Sequence, residues 1–388
     1  MKGHLVKRGS TWTAVLDVPR VNGKRQQKWK KLPGVSTKSE AQAALRRLLT
    51  QYEQTNFLEP TSMTVGEVLD KYLRSVEDHI RRVTYERYET SVRAYLKPRL
   101  GDIALAKLMP LDIENHIVHL REAGAHGGKP LARPTVQVAL RILRAAIAWA
   151  VRMRLIAFNV CQVIKSPPVG RTEARFCEVS EIERLTTYAR QHDPELYTPI
   201  LVAVGLGLRR AELFGLRWQD VDLDNGMLTV RHTLVRLHKS QVFSEPKTVR
   251  SRRDVVMPAF VIAALRTHKA DQNERRLKVG PDYNSRGLVF TGVGGDPWSI
   301  DFFGRRFARI AKRVGLKGIG LHTLRHSCAS LLLSRGLPLP AVSAVLGHSN
   351  TAITASTYAH ALHQARAEAA EHMNAALAGS ITGSGGKA

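Results

Sequence analysis

Apolar and polar positions change period several times along the chain, and each change marks an element. Over residues 10–18 the apolar side chains Trp12, Ala14, Leu16 and Val18 alternate, as in a half-buried strand. Val21-Asn22-Gly23-Lys24 is a turn signal, and residues 25–32 read as a second strand with Lys and Arg around Trp29. Over 37–54 the spacing becomes helical, with Ala41, Ala44, Leu45, Leu48 and Leu49 on one face. Residues 56–62, with Pro60, read as a linker.

The next stretch is helical throughout. Thr64-Val65-Gly66-Glu67 is a capping box, followed by Val65, Val68, Leu69, Tyr72, Leu73 and Val76 at helical spacing. A second helix is expected over 83–96, ending before Pro98, and a third over 110–122, stopping at Gly124. A fourth covers 134–154, with Val136, Leu140, Leu143, Ile147 and Val151 inward and Arg133, Arg141, Arg144, Arg152 and Arg154 on the other side. Residues 166–170 form a second linker. A capping box at Ser180-Glu181-Ile182-Glu183 opens helices that run to about Trp218. Strands follow at 227–237 and 253–258, a short buried one at 288–290, and an amphipathic helix over 304–314. Next comes an apolar helix from Leu321, broken by Gly336 and Pro338. A short helix over 341–346 is stopped by Gly347, and an alanine-rich helix spans 361–377. Residues 378–388 read as a flexible tail.

At 388 residues the chain calls for two or three domains, and 44% hydrophobic content is enough for real cores. The formal charge of +26 is spread over the whole length rather than gathered in a tail, which points to a polyanion, nucleic acid first. Cys161, Cys177 and Cys328 are an odd set without metal-ligand spacing, so neither a disulfide framework nor a zinc site is expected. No apolar run reaches transmembrane length and no signal segment is seen, so no membrane partner is expected.

Candidate chemistry concentrates near the C-terminus. His322 and Arg325 stand three apart on one helix, so they share a face. His348 follows a helix end, and Tyr358 comes ten residues later among small and polar neighbours. Two histidines, an arginine and an exposed tyrosine suit phosphate chemistry with a phenol nucleophile. These residues resemble the C-terminal box of the tyrosine site-specific recombinases, the phage integrases and Xer-type enzymes. The box reads H-x-L-R-H in His322, Leu324, Arg325 and His326, then L-G-H in Leu346, Gly347 and His348, then Tyr358. Gly207-Leu208-Arg209-Arg210-Ala211-Glu212-Leu213 is similar to the family's G-L-R-x-x-E-L box, which selects Arg209 rather than Arg210 and makes Glu212 its carboxylate partner on one helical face. Lys247-Thr248, Ser251 and Arg253 match the family's K-T-x-x-S-x-R hairpin pattern.

The resemblance implies a mainly α fold with small β-sheets (α+β) in three domains. These are an arm-type DNA-binding domain (1–56), a helical core-binding domain (64–165) and a catalytic domain (171–377). DNA contacts are expected from Lys24, Arg25, Lys28, Lys30 and Lys31 in the first, since a major groove admits a β-ribbon. In the second they are expected from Arg133, Arg141 and Arg144. The six catalytic positions are Arg209, Lys247, His322, Arg325, His348 and Tyr358. The guanidiniums would hold the phosphate oxygens with His348 as a further donor, His322 would take the proton of Tyr358, and Lys247 would protonate the leaving 5′ oxygen. The implied product is a 3′-phosphotyrosine whose bond energy is retained, so no cofactor, ATP or metal is expected. The implied partners are double-stranded DNA attachment sites, a homotetramer at a Holliday junction, and accessory DNA-bending or directionality proteins. The implied location is the cytoplasm of a bacterial host, at the nucleoid. Alternatives are Xer-like chromosome or plasmid resolution, a type IB topoisomerase-like enzyme, and a non-catalytic architectural protein.

Overall fold

A computed structural model gives the fold, describing residues 3–21, 24–54, 61–124, 128–168, 170, 175–237, 240–244, 252–284, 286–347, 373–374 and 377, with side chains excepted at 18–26 and 51–54. The chain is mainly helical with small sheets and divides into two compact units, Met1–Gly170 and Arg171–Ala388. Lys247, His348 and Tyr358 lie outside the described residues, as do nearly all of 361–377 and the tail.

The first unit opens with β1 (Gly3–Arg8), β2 (Thr11–Val21) and β3 (Lys24–Leu32), an antiparallel sheet in that order. The alternation rule found β2 and β3 but not β1, whose GHLVKR sequence has no clean period. Helix α1 (Lys38–Gln54) starts one residue later than expected. Thr37 stands before it, and its Oγ accepts from the Glu40 N–H at 3.2 Å. The helix covers one face of the sheet, where Ala14, Leu32 and Ala41 are buried with Leu5, Trp12, Leu45 and Leu48 packed on them.

The helical part begins at α2 (Val65–Val76), and the Thr64 box is complete. Glu67 N–H donates to Thr64 Oγ at 3.2 Å and Thr64 N–H to Glu67 Oε2 at 2.8 Å. Pro98 does not end the next helix. α3 (Arg82–Ser91) runs through a π turn, Val92–Leu96, into α4 (Lys97–Leu100). The wider turn, closed by Lys97 N–H to Val92 O, admits proline in the first turn of α4, where an N–H is least needed. α5 (Pro110–Glu122) has the expected bounds, and α6 (Arg133–Arg152) starts one residue earlier than read. Among described residues α6 is the one helix long and apolar enough to cross a membrane, but its Val136, Leu140, Leu143 and Ile147 belong to the core of this bundle.

The second unit begins with α7 (Val179–His192). Its cap lies two residues earlier than the expected box, since Glu178 N–H donates to Glu181 Oε2 at 3.1 Å and Ser180 is already helical. α8 (Pro194–Leu206) and α9 (Arg210–Phe214) follow. Next come β4 (Val221–Asp222), β5 (Met227–Val230), β6 (Thr233–Leu237), β7 (Ser240–Ser244) and β8 (Arg253–Val256). The single strand expected over 227–237 is two strands of two sheets: β5 lies between β4 and β8, while β6 pairs with β7.

Helix α10 (Ala259–Val279) has no counterpart in the hydrophobic pattern because its inward face carries His268 and Gln272. His268 Nε2 meets Val289 O at 2.8 Å, and Gln272 Nε2 donates to Thr291 Oγ at 3.0 Å. These bonds hold the expected strand 288–290, which forms only a bridge, Leu288 to Arg217. α11 (Ile300–Arg313) starts four residues before its expected position because Ser299 caps it. α12 (Leu321–Ser334) and α13 (Leu339–Leu346) follow, and Leu324 joins the main apolar core of the unit.

Candidate active site

The site is built where α8, α9, β8, α12 and α13 meet. Gly207 ends α8 in the left-handed region (φ +59°), and a Cβ there would stand 2.6 Å from Leu346 and 3.1 Å from the Cys328 sulfur. Glycine is required on both counts. The turn exposes Gly207 O, which accepts from Arg325 Nη1 at 2.6 Å. Arg209 then takes extended backbone (φ −67°, ψ 150°) as the N-cap of α9. It therefore does not share a helical face with Glu212, as the three-residue spacing suggested. The two meet as cap and third helical residue: Arg209 N–H donates to Glu212 Oε2 at 2.9 Å, and Nη1 to Oε1 at 2.6 Å.

α13 ends in Gly347, also left-handed (φ +66°), and three successive carbonyls at this end each meet a different arginine. Val345 O accepts from Arg253 Nε at 2.8 Å, Leu346 O from Arg325 Nη2 at 2.8 Å, and Gly347 O from Arg209 Nη2 at 2.7 Å. The negative end of a helix dipole and its unsatisfied carbonyls are natural partners for cations. Arg253 also holds Glu212 through Nη1–Oε1 at 3.3 Å and Nη2–Oε2 at 3.1 Å. Glu212 and Arg325 are each only 2% exposed. Burial alone would raise the Glu212 pKa, but Arg253 and then Arg209 outweigh it and hold the carboxyl below its ordinary range. Three guanidiniums against one carboxylate leave a surplus of positive charge beside the chain segment that enters His348.

His322, on the first turn of α12, is exposed. Desolvation, then Arg325 and Arg209, lower its pKa, so the neutral imidazole that can accept a proton is favoured near neutrality. His326 stacks edge-on against it with ring centroids 4.4 Å apart, and burial, His322 and Arg325 press its pKa down to about 4. The structure thus brings Arg209, Glu212, His322 and Arg325 together. Sequence reasoning missed the part of Arg253, although it stood in the K-T-x-x-S-x-R pattern.

The expected DNA-contacting residues divide. Lys24 and Arg25 have side chains outside the described residues. Lys30 and Lys31 are exposed, Lys28 half-buried, and Arg141 exposed on α6. Arg133 Nη1 reaches Pro168 O at 3.3 Å. Arg144, read from the sequence as facing DNA, turns inward. Its guanidinium donates to Cys161 O (3.3 Å), Ser166 Oγ (2.9 Å) and Ile164 O, pinning the segment after α6. An arginine at a solvent-facing period still turns inward when several backbone carbonyls of a segment outside regular structure lie within its reach. Among the described residues no group of three or more His, Cys, Asp or Glu could hold a metal ion.

Three family models match the chain in succession. An arm DNA-binding domain covers residues 4–52, a phage integrase N-terminal SAM-like domain 64–121, and the phage integrase family model 175–365. The chain is 31% identical to a prophage phiRv2 integrase of Mycobacterium tuberculosis over 275 residues, 69% of each protein. It is 28% identical to a XerC-like tyrosine recombinase of Caldanaerobacter subterraneus, over 87% of this chain and 90% of that one. Among solved structures it is similar to the Tn1549 transposon integrase in complex with a circular intermediate DNA (TM-score 0.68, 23% identity, 80% of this chain and 99% of that one). It is also similar to a lambda integrase tetramer bound to a Holliday junction (TM-score 0.57, 17% identity, 89% and 92%). At these identities the two structures speak for the fold.

Proposed function

The chain belongs to the phage integrase family of tyrosine recombinases, enzymes that cleave and rejoin DNA, and from that membership we propose that it integrates or excises a mobile element. The observation that carries this reading is the cluster of Arg209, Arg253 and Arg325 on the last carbonyls of α13, one residue before His348. A phosphodiester gains charge on its non-bridging oxygens as a nucleophile adds, and fixed guanidiniums stabilise that charge without reorganising. Arg209 and Arg325 bind these oxygens, and His348 adds a donor. Tyr358 attacks phosphorus and forms the 3′-phosphotyrosine bond as the 5′ oxygen leaves. Its phenol, with an ordinary pKa near ~10, passes its proton to His322, and Lys247 gives one to the leaving oxygen. Attack by the 5′ hydroxyl of the partner strand reverses the step, and two rounds through a Holliday junction occupy four copies of the chain.

The domains in this reading are arm-binding (1–56), core-binding (64–165) and catalytic (171–377), with 378–388 a tail. The arm-domain match at residues 4–52 favours an integrase over Xer-like resolution, because it supplies a second class of DNA site.

Tyr358→Phe tests the chemistry. With a nicked half-site DNA the unaltered chain should form a covalent adduct, while the variant binds the same DNA and forms none. An adduct in the variant, mapped by peptide sequencing to another residue, would overturn the assignment.

A further inference from the structure

The arginines around α13 are not equivalent. The Arg209 side chain is 37% exposed and that of Arg253 only 7%. Arg253 is the first residue of β8 and stands six residues after Lys247 in the sequence. It grips both oxygens of Glu212 and the carbonyl of Val345. A Cβ on Gly347 would stand 2.7 Å from Arg253 Nη1 and 3.0 Å from its Cδ and Cζ, so the Arg253 side chain is packed directly against the Gly347 turn.

A buried carboxylate must be neutralised by its neighbours. With Arg253 present, Glu212 is shared. Without it, Arg209 alone must satisfy Glu212 and would be drawn onto both carboxylate oxygens, its charge spent inside the protein. Lysine cannot replace Arg253, because a single ammonium cannot span Glu212 and Val345 O together.

We infer that Arg253 is a positioning residue for strand cleavage: by sharing Glu212 and bracing the turn at Gly347, it leaves Arg209 turned toward the phosphate and aims the chain toward His348. The inference rests on the proposed roles of Arg209 and His348.

The test measures covalent adduct formation on half-site DNA whose scissile 5′ oxygen is either normal or replaced by sulfur, a leaving group that needs no proton. R253A and R253K should each slow cleavage by roughly 10–100-fold, by analogy with the loss of an orienting partner behind a metal ligand. The slowing should be equal on both DNAs, since leaving-group protonation is not the defect. DNA affinity should stay within about twofold, and R209A/R253A should lose less than the product of the two single losses, because part of the Arg253 effect runs through Arg209. Wild-type rates in R253A, rescue by sulfur, or additive losses in the double variant would overturn the inference. If R253A does not fold, R253K decides by the same measurements. If neither folds, Arg253 is a structural residue and the inference fails. Failure of the proposed function is separately visible: the unaltered chain would form no adduct, or R209A would cleave at full rate.

Discussion

The two units bury polar groups on different terms. The helical bundle buries His116, 4% exposed among apolar side chains, and desolvation presses its pKa to about 4, so it stays neutral. The second unit buries Arg325, Glu212 and Arg253 and keeps all three charged. The difference lies in partners. A lone imidazole can shed its charge, whereas a guanidinium cannot, so each arginine needs carboxylate or carbonyl oxygens within reach. Two left-handed glycines, Gly207 and Gly347, turn those carbonyls toward the cluster. A fold that keeps buried charge in this way can hold a second anion there.

Removing one partner should break this contrast most severely. In Glu212→Ala, the buried Arg253 loses its counter-charge, and one-sided removal from a buried pair costs about 3–5 kcal/mol. Arg141→Ala, on the exposed side of α6, should cost within about 0.5 kcal/mol. Denaturant unfolding of the full chain, followed through each unit, measures both. A Glu212→Ala cost below about 1 kcal/mol would mean the cluster is not held by its charges.

Arg209 and Arg210 give the next test. Arg209→Ala should lower the cleavage rate by about 10²–10³-fold, or about 2.7–4 kcal/mol, and Arg210→Ala far less. The reason is geometric: Arg209, at the cap, reaches Glu212 and Gly347 O, while Arg210 is the first residue inside α9. Equal losses in two folded variants would show that the box has been read one residue out of register.

The same geometry shows what could be read from sequence. α5 was legible at both ends because Pro110 and Gly124 are local punctuation, and the Thr64 box because its two bonds lie within four residues. α10 was not, because its buried His268 and Gln272 look polar until Val289 and Thr291, far along the chain, supply their partners. The split between β5 and β6 was hidden because alternation continues across two sheets. At the site, motif spacing pointed to Arg209, Glu212, His322 and Arg325. It could not show that Arg209 is a cap residue, that Arg144 faces inward, or that Arg253 joins the cluster, since each depends on contacts between distant segments.

Acid should separate the neutral buried histidines from the Glu212 cluster. His116 has its folded pKa depressed from 6.5 to about 4, so its contribution is complete above about pH 6.5 and is lost as pH falls toward 4. A shift of that size corresponds to something on the order of 3 kcal/mol. Glu212, depressed below the carboxylate range, gives up its contribution only at lower pH. Hydrogen exchange in the full chain between pH 7 and 4 should show α5 and α6 loosening before α9, with α12 loosening over the same range as the bundle because its His326 is also pressed to about 4. His116→Leu should remove that early loss from α5 and α6. An unchanged pH profile in His116→Leu would assign the loss to another group.

The smallest expected effect lies in the N-terminal sheet, where the same division between covered and open sides runs along a single strand. Cross-strand partners share a face, and faces alternate residue by residue. Lys30 pairs with Ala14 and Lys28 with Leu16, on the side that α1 packs against, whereas Trp29 pairs with Val15 and Lys31 with Thr13 on the opposite side, where Trp29 and Lys31 are exposed over the buried Val15 and Thr13 of the central strand. Arg8 belongs to that open side, its guanidinium 4.9 Å over the ring of Trp29, which is 51% exposed. The basic run read from sequence as one patch is therefore two. If the open face meets arm-site DNA, Lys31→Ala should lower the slope of log K against log salt by about 0.9, the loss of one phosphate contact. Lys30→Ala should leave the slope almost unchanged, and neither should alter cleavage at a core site. A salt series on arm-site DNA compares them directly. Equal slopes for the two variants would mean that DNA meets the edge of β3 rather than the open face of the sheet.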